Sequence, residues 1–175
     1  LPNLTNQRDR RNFARFYAKR LPAEVLLDAI NKVAATRERF NDLPESFTAT
    51  QLPDDGFDSE FLTIFGRPKR ESVCECERSS EANLSQTLHL LNSQELQGKL
   101  GSAGSRAAKL ADDQRPDSVK ITEIYKVALG RSPTMDELEI SQSHLEKRRR
   151  DNKARQGYED LIWAVLNTKE FLFNQ

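Results

Sequence analysis

The residue types able to do chemistry crowd into one stretch, Phe65 to Asn92, which holds both cysteines, His89 and a dense alternation of Arg, Lys and Glu. Within it, Val73-Cys74-Glu75-Cys76-Glu77 alternates with period two. On an extended backbone both thiols would face one side and both carboxylates the other. Residues two apart on a strand are separated by roughly 6.5–7 Å at Cα, at or beyond the reach of an unstrained disulfide, so direct pairing needs a bend. A metal site would need two further soft ligands, and the nearest histidine, His89, sits in a leucine-rich helical pattern. Cys74 and Cys76 thus have three uses: a strained or redox-active disulfide, part of a metal site, or two small apolar groups on the core side of the segment. The pattern favours packing.

The charged neighbours Arg67, Lys69, Arg70, Glu71, Glu75, Glu77 and Arg78 are the second candidate, a polar pocket. A catalytic carboxylate pair needs two acids at fixed spacing in different electrostatic surroundings. Glu75 and Glu77 share a face, but the adjacent Arg and Lys would hold both ionised. The group reads first as a salt-bridge network pinning the chain, with an anion-binding or partner-docking surface as its functional competitor. His144 lies on a polar helix, where exposure is expected. Neither histidine has the serine or cysteine and acid partners of a triad. The chain carries no haem-attachment motif, glycine-rich phosphate loop or zinc-binding His-Glu motif. No catalytic, metal-binding or cofactor-binding residue follows from these patterns. Arg67, Arg70, Glu71, Cys74, Glu75, Cys76, Glu77 and Arg78 stand as structural or binding candidates.

The elements that must position these residues are helical. Phe13, Phe16 and Tyr17 fall at i, i+3, i+4 on a basic helix expected from roughly Gln7 to Arg20. Pro22 suits the first turn of a second helix whose buried face is Val25, Leu26, Ala29, Ile30 and Val33. Periodicity is lost from about Thr36 to Ser59, where Pro44, Pro53, Asp54, Asp55 and Gly56 punctuate a long connection, either functional or packed across the surface. Phe57, Phe61, Leu62, Ile64 and Phe65 suggest a short aromatic-rich helix anchoring it. Asn83 can cap a helix with Gln86 at its third position and Leu84, Leu88 and Leu91 inside, and Ser93 with Glu95 can start another through Leu100. Residues 101–118 are the best hinge, although Arg106 to Ala111 has helical character. A three-helix run follows over 119–175. Its first stripe, Ile121 to Leu129, stops at Gly130. A capping box at Thr134 to Glu137 opens a polar helix to about Arg149. Tyr158, Leu161, Ile162, Val165 and Leu166 stripe the last long helix, before Phe171 and Phe173. The fold class is all-α: an irregular multi-helix domain with a long loop and at most one short extended segment, at Ser72 to Glu77.

Composition agrees and removes several functions. The 175 residues can form one domain with a core that needs no disulfide or metal. A hydrophobic fraction of 37%, 31% charged residues and only 7 Gly and 7 Pro describe helices with much wet surface. The net charge of zero leaves no overall field to draw the chain to nucleic acid or an anionic membrane. The basic run Lys147 to Arg150 suits the C-terminal end of a helix, where positive charge favours the dipole. No apolar run approaches the ~20 residues of a membrane-spanning helix. Starting at Leu1 with no Met, the chain is expected to be a fragment of a larger protein, so the missing signal peptide says nothing of compartment.

Several segments resemble one family: Asn12 to Tyr17, Lys19 to Ile30, Phe65 to Asn92, Tyr125 to Pro133 (YKVALGRSP) and Asn167 to Asn174. It is the planctomycete-specific domain of unknown function that ends large proteins carrying planctomycete cytochrome-c-like modules. The resemblance implies an extracytoplasmic location in the periplasm or cell envelope, with any haem held in an upstream module, and it supplies no catalytic residues. The expected role is therefore an interaction or scaffolding module whose partners are other domains of the same polypeptide. Two alternatives stay open: an accessory part of a polysaccharide-acting hydrolase, with Glu75 and Glu77 at its site, and a docking domain for the cytochrome-c module near Cys74 and Cys76.

Overall fold

The computed structural model describes residues 19–40, 43–53, 56–57, 59–68, 86, 90 and 93–174. Among them the elements run β1 (Lys19–Arg20), α1 (Ala23–Ala34), a 3-10 turn (Ala49–Gln51), α2 (Glu60–Ile64), α3 (Gln94–Leu100), α4 (Arg106–Asp112), α5 (Asp117–Leu129), α6 (Met135–Arg150), α7 (Ala154–Leu166), α8 (Lys169–Leu172) and β2 (Phe173–Asn174). The class is all-α, as the stripes required.

The helix boundaries follow local chemistry. Ser59, Ser93, Ser105, Thr134 and Thr168 each accept a hydrogen bond from a first-turn N–H, supplying partners to donors with none inside the helix. At α6 the expected capping box is complete: the Glu137 N–H donates to Thr134 Oγ1 at 3.2 Å, and the Thr134 N–H donates to Glu137 Oε2 at 2.7 Å. α5 ends at Gly130, whose φ of 71° is the left-handed conformation that a glycine adopts without a Cβ penalty.

Two helices hold the assembly together. α1 packs against α2, α3, α4, α5 and α7, while α7 packs against α3, α4, α5, α6 and α8. α1 buries Leu26, Leu27, Ile30 and Val33. Leu26, Ile30 and Val33 are buried as expected, but the buried face is wider than one stripe: Leu27 is also fully buried, while Val25 is exposed, because elements press on α1 from several sides. From α5 come Ile121, Ile124 and Tyr125, and from α7 come Tyr158, Leu161, Ile162, Val165 and Leu166. Gly157 allows α6 and α7 to approach, since a Cβ there would lie 3.1 Å from both Leu145 Cδ2 and Arg148 Cβ.

The long connection is laid across α1. Asp28 accepts from the N–H groups of Ala49 at 2.7 Å and Thr50 at 3.0 Å, so one α1 carboxylate caps the 3-10 turn. Phe40, Ala49 and Leu52 are buried, and the rings of Phe40 and Phe57 meet edge to face at 6.5 Å. Of the two uses expected of this connection, the described part shows packing.

One expectation fails at the amino-terminal side. The basic helix was expected to run to Arg20, yet Lys19 and Arg20 are extended and pair antiparallel with Asn174 and Phe173. Pro22 disfavours helical backbone at the residue before it, and the Leu21 N–H donates to the Leu172 carbonyl at 3.0 Å. The rest of that helix lies outside the described residues, as does the extended segment expected at Ser72 to Glu77. The stretch 101–118 contains α4, whose Ala107 and Leu110 are buried, and α4 packs on α7.

Candidate functional site

Of the candidate residues, Arg67 is described, and it sits just past α2. Its Nη2 donates to the Phe57 carbonyl at 2.8 Å, and its backbone N–H donates to the Leu62 carbonyl at 2.9 Å. Arg70, Glu71, Cys74, Glu75, Cys76, Glu77 and Arg78 lie outside the described residues, as do Lys69 and His89. Arg67 has company at the end of α2. Arg20 donates from Nη2 to the Phe65 carbonyl at 2.8 Å and lies 5.3 Å over the Phe65 ring. Gln86, also described, donates to the Ile64 carbonyl at 3.2 Å. Phe61 and Phe65 stack at 4.2 Å beneath them. A helix C-terminus presents unpaired carbonyls, and two side chains from distant parts of the chain, Arg20 and Gln86, converge on this one, while Arg67 ties the chain after the helix back to Phe57 before it. Each of these three side chains binds a backbone carbonyl.

The carboxy-terminal half repeats that logic with ion pairs between helices. Arg106, the first residue of α4, donates to the carbonyls of Val33 at 2.8 Å and Lys32 at 3.3 Å and to Glu123 Oε1 at 2.7 Å. It caps the end of α1 and ties it to α5. Arg115 completes the other side of Glu123, at 2.7 Å, while gripping Asp113. Lys99 of α3 reaches Glu38, and Asn31 Oδ1 at 2.9 Å, holding the start of the long connection.

Deeper in, Lys120 donates to the carbonyls of Asp113 at 3.1 Å and Leu110 at 3.3 Å, and sits 5.1 Å over the Tyr158 ring. Tyr158 donates to Asp117 Oδ1 at 2.9 Å, and Arg149 donates to Asp117 Oδ2 at 2.9 Å. Burial pushes the Asp117 carboxyl up, but hydrogen bonds from Arg149, Tyr158 and Lys120 outweigh it and leave its pKa below the ordinary value. Burial, reinforced by Asp117, pushes the Tyr158 phenol up, so it stays a protonated donor at neutral pH.

Arg131 is the most heavily engaged of these cations. Its fork takes Glu137 of α6 at 2.8 and 2.9 Å and Glu170 of α8 at 2.7 Å twice, with its guanidinium 5.7 Å from the Tyr125 ring. That pairing holds the Glu137 carboxyl down at about 2, against the opposing effect of burial, and it also lowers Glu170.

Asp113, Asp117, Glu137 and Glu170 are committed acceptors whose partners hold their pKa values below the ordinary range. None is placed to donate a proton, which general acid catalysis requires. The expected basic run behaves the same way: Arg148 pairs with Asp160, Arg149 with Asp117 and Arg150 with Glu146. His144 is less exposed than expected, its Nε2 lying 3.0 Å from Asp160 Oδ2, which Arg148 also engages. Among the described residues no group of three or more His, Cys, Asp and Glu side chains could hold a metal ion. No helix there is long and apolar enough to cross a membrane.

Sequence reasoning had singled out the segment around Arg131 without giving Arg131 a role. It gave no role to the side chains of Arg106, Asp117 and Lys120. Apart from the Asp117–Lys120 pair within α5, nothing in their local spacing marks them, because their other partners lie elsewhere in the fold.

A family model described as "PSD1: Protein of unknown function (DUF1553)" matches residues 45–145. The matched span covers the segments Phe65 to Asn92 and Tyr125 to Pro133, and ends within α6. No curated protein matches the chain, and no solved structure matches it. The match extends over more than half of the chain, which therefore belongs to this family of unknown function.

Proposed function

We propose that this member of the DUF1553 family is a non-catalytic interaction or scaffolding module of a larger, multidomain extracytoplasmic protein. The observation that carries the reading is the use made of charge. Arg106, Arg115, Arg131, Arg148 and Arg149 each grip carbonyls or carboxylates, tying α1 and α4 through α8 to one another. A module spends its charged residues on fixing its own shape, and a catalytic site leaves some of them poised for substrate. The resemblance of Phe65 to Asn92 and Tyr125 to Pro133 to the planctomycete domain supports an envelope location beside a cytochrome-c-like module. On the same reading Arg67, Arg70, Glu71, Cys74, Glu75, Cys76, Glu77 and Arg78 hold the chain in place.

Chemical cross-linking of the full-length protein, read by mass spectrometry, tests the proposal. Lysines of this domain, Lys147 and Lys153 among them, should cross-link to other domains of the same polypeptide. Cross-links confined to the domain itself, with the rest of the protein behaving identically after its removal, would sink the scaffold reading.

A further inference from the structure

We infer that the cavity between α3 and α7 binds a neutral polyhydroxylated ligand, the size of one pyranose ring of a saccharide. The cavity measures about 360 Å³, at the lower end of the ~300–1,000 Å³ typical of small-ligand sites. Its described lining is Gln97 and Leu100 from α3 and Glu159, Asp160 and Trp163 from α7. Glu159 and Trp163 are one helical turn apart and so share a face of α7. Leu100 is buried and supplies apolar floor, while Gln97 is exposed across from the indole.

The polar atoms are what select the ligand. Asp160 is held by His144 and Arg148 through Oδ2 alone, and Glu159 by Arg155 through Oε1 alone. Among the described residues that leaves Asp160 Oδ1, Glu159 Oε2 and the Gln97 amide as uncommitted groups, in side chains whose orientation is already fixed or accessible. Two carboxylate oxygens and an amide oxygen are acceptors, and they ask for a ligand rich in hydroxyl donors. The indole offers a flat apolar surface with a polar N–H at its edge, suited to a ring with one apolar face and a polar rim.

Charge excludes the other two ligand classes. Each lining carboxylate has its own arginine, Arg148 for Asp160 and Arg155 for Glu159, so an organic cation entering the cavity gains little net attraction. By the same cancellation an anion gains little net attraction, and the carboxylate oxygens it would meet are acceptors that offer it no donor. The inference goes beyond the scaffold reading and does not depend on it, since a module can carry a saccharide site whatever domains it contacts.

Trp163 is the single tryptophan of the chain, so its emission reports on this cavity without background. The 175-residue protein is titrated with glucose, galactose, mannose, N-acetylglucosamine and their β-1,4-linked disaccharides. The expected result is a saturable change in emission with at least one of them, with a Kd on the order of millimolar, as a ligand of about a dozen heavy atoms allows. Disaccharides binding more tightly than their monosaccharides would assign the cavity to the end of a polymer, and equal affinity would assign it to a free sugar. Gln97→Ala should weaken binding about tenfold, and Gln97→Glu, isosteric and on an exposed position, provides a second variant that leaves the core alone. No saturable response to any sugar overturns the inference, as does unchanged affinity in both Gln97 variants. A response to tetramethylammonium chloride or inorganic phosphate in place of sugars overturns it too.

Discussion

Replacing Arg131 with alanine removes four hydrogen bonds to two carboxylates and a cation from the face of Tyr125. The three charged side chains are each about one-third exposed, so the pairs are screened and each contributes up to about 1 kcal/mol. The contact with the Tyr125 ring adds roughly 0.5–1 kcal/mol. Losing all of these, and leaving Glu137 and Glu170 facing one another, should cost about 2–3 kcal/mol. For a chain of this length each kcal/mol moves the melting temperature by roughly 2–4 °C, which makes the expected fall about 4–12 °C at pH 7. Arg131→Lys keeps the charge without the planar fork and should fall between the two.

The pH dependence separates this explanation from simple loss of packing. Glu137 titrates at about 2 in the folded protein, against ~4.3 for an unperturbed glutamate. A carboxylate with a depressed folded pKa adds stability that is fully present above the unfolded value and lost as pH falls through the folded one. The gap between wild type and Arg131→Ala should therefore be constant from about pH 7 to 5 and shrink to about half by about pH 3. Glu170, lowered by the same arginine, adds to the effect in the same direction. Thermal melts followed by circular dichroism at several pH values make the measurement. A gap that is absent at pH 7, or that stays the same width down to pH 3, would refute the reasoning.

Three further perturbations probe other joints. Lys120→Ala should destabilise by about 3 kcal/mol, because it removes a buried donor from two carbonyls and from Asp117, and denaturant titration should show the lower midpoint with an unchanged slope. Gly157→Ala should lose about 1–3 kcal/mol in spite of alanine's better helix propensity, since its Cβ meets Leu145 and Arg148 at 3.1 Å; an equal or higher melting temperature would show that α6 and α7 can move apart. Asp28→Ala should release the cap on the 3-10 turn at a cost of about 1–2 kcal/mol, read as faster amide exchange at Ala49 and Thr50 with α7 unaffected.

How much of this was legible in the sequence depends on the range of each interaction. The capping box at Thr134 and Glu137, the stop at Gly130 and the stripe of α7 are set by residues within a turn or two, and local spacing displays them fully. The buried face of α1 is wider than its stripe predicts: Leu26, Ile30 and Val33 are buried as expected, Leu27 is buried as well, and Val25 is exposed. A single stripe of Val25, Leu26, Ala29, Ile30 and Val33 assumes one packed side, and α1 is enclosed from several. The extended pair at Lys19–Arg20 and Phe173–Asn174 had no local signal, because its ladder joins the two ends of the described chain. Arg106 and Lys120 illustrate the same limit for the polar groups. Each looks like an ordinary solvent-facing cation on its own helix, and each takes its role from carbonyls that other elements bring within reach. Trp163 belongs to this class too. On the periodic pattern it falls beside the core stripe of α7 and reads as a peripheral residue. Only the packing of α3 against α7 sets Gln97 across one cavity from Trp163 and the two arginine-held carboxylates beside it on α7. Chemistry confined to one segment, such as the alternation around Cys74 and Cys76, is conspicuous in a sequence for the same reason that chemistry assembled from several helices is hidden.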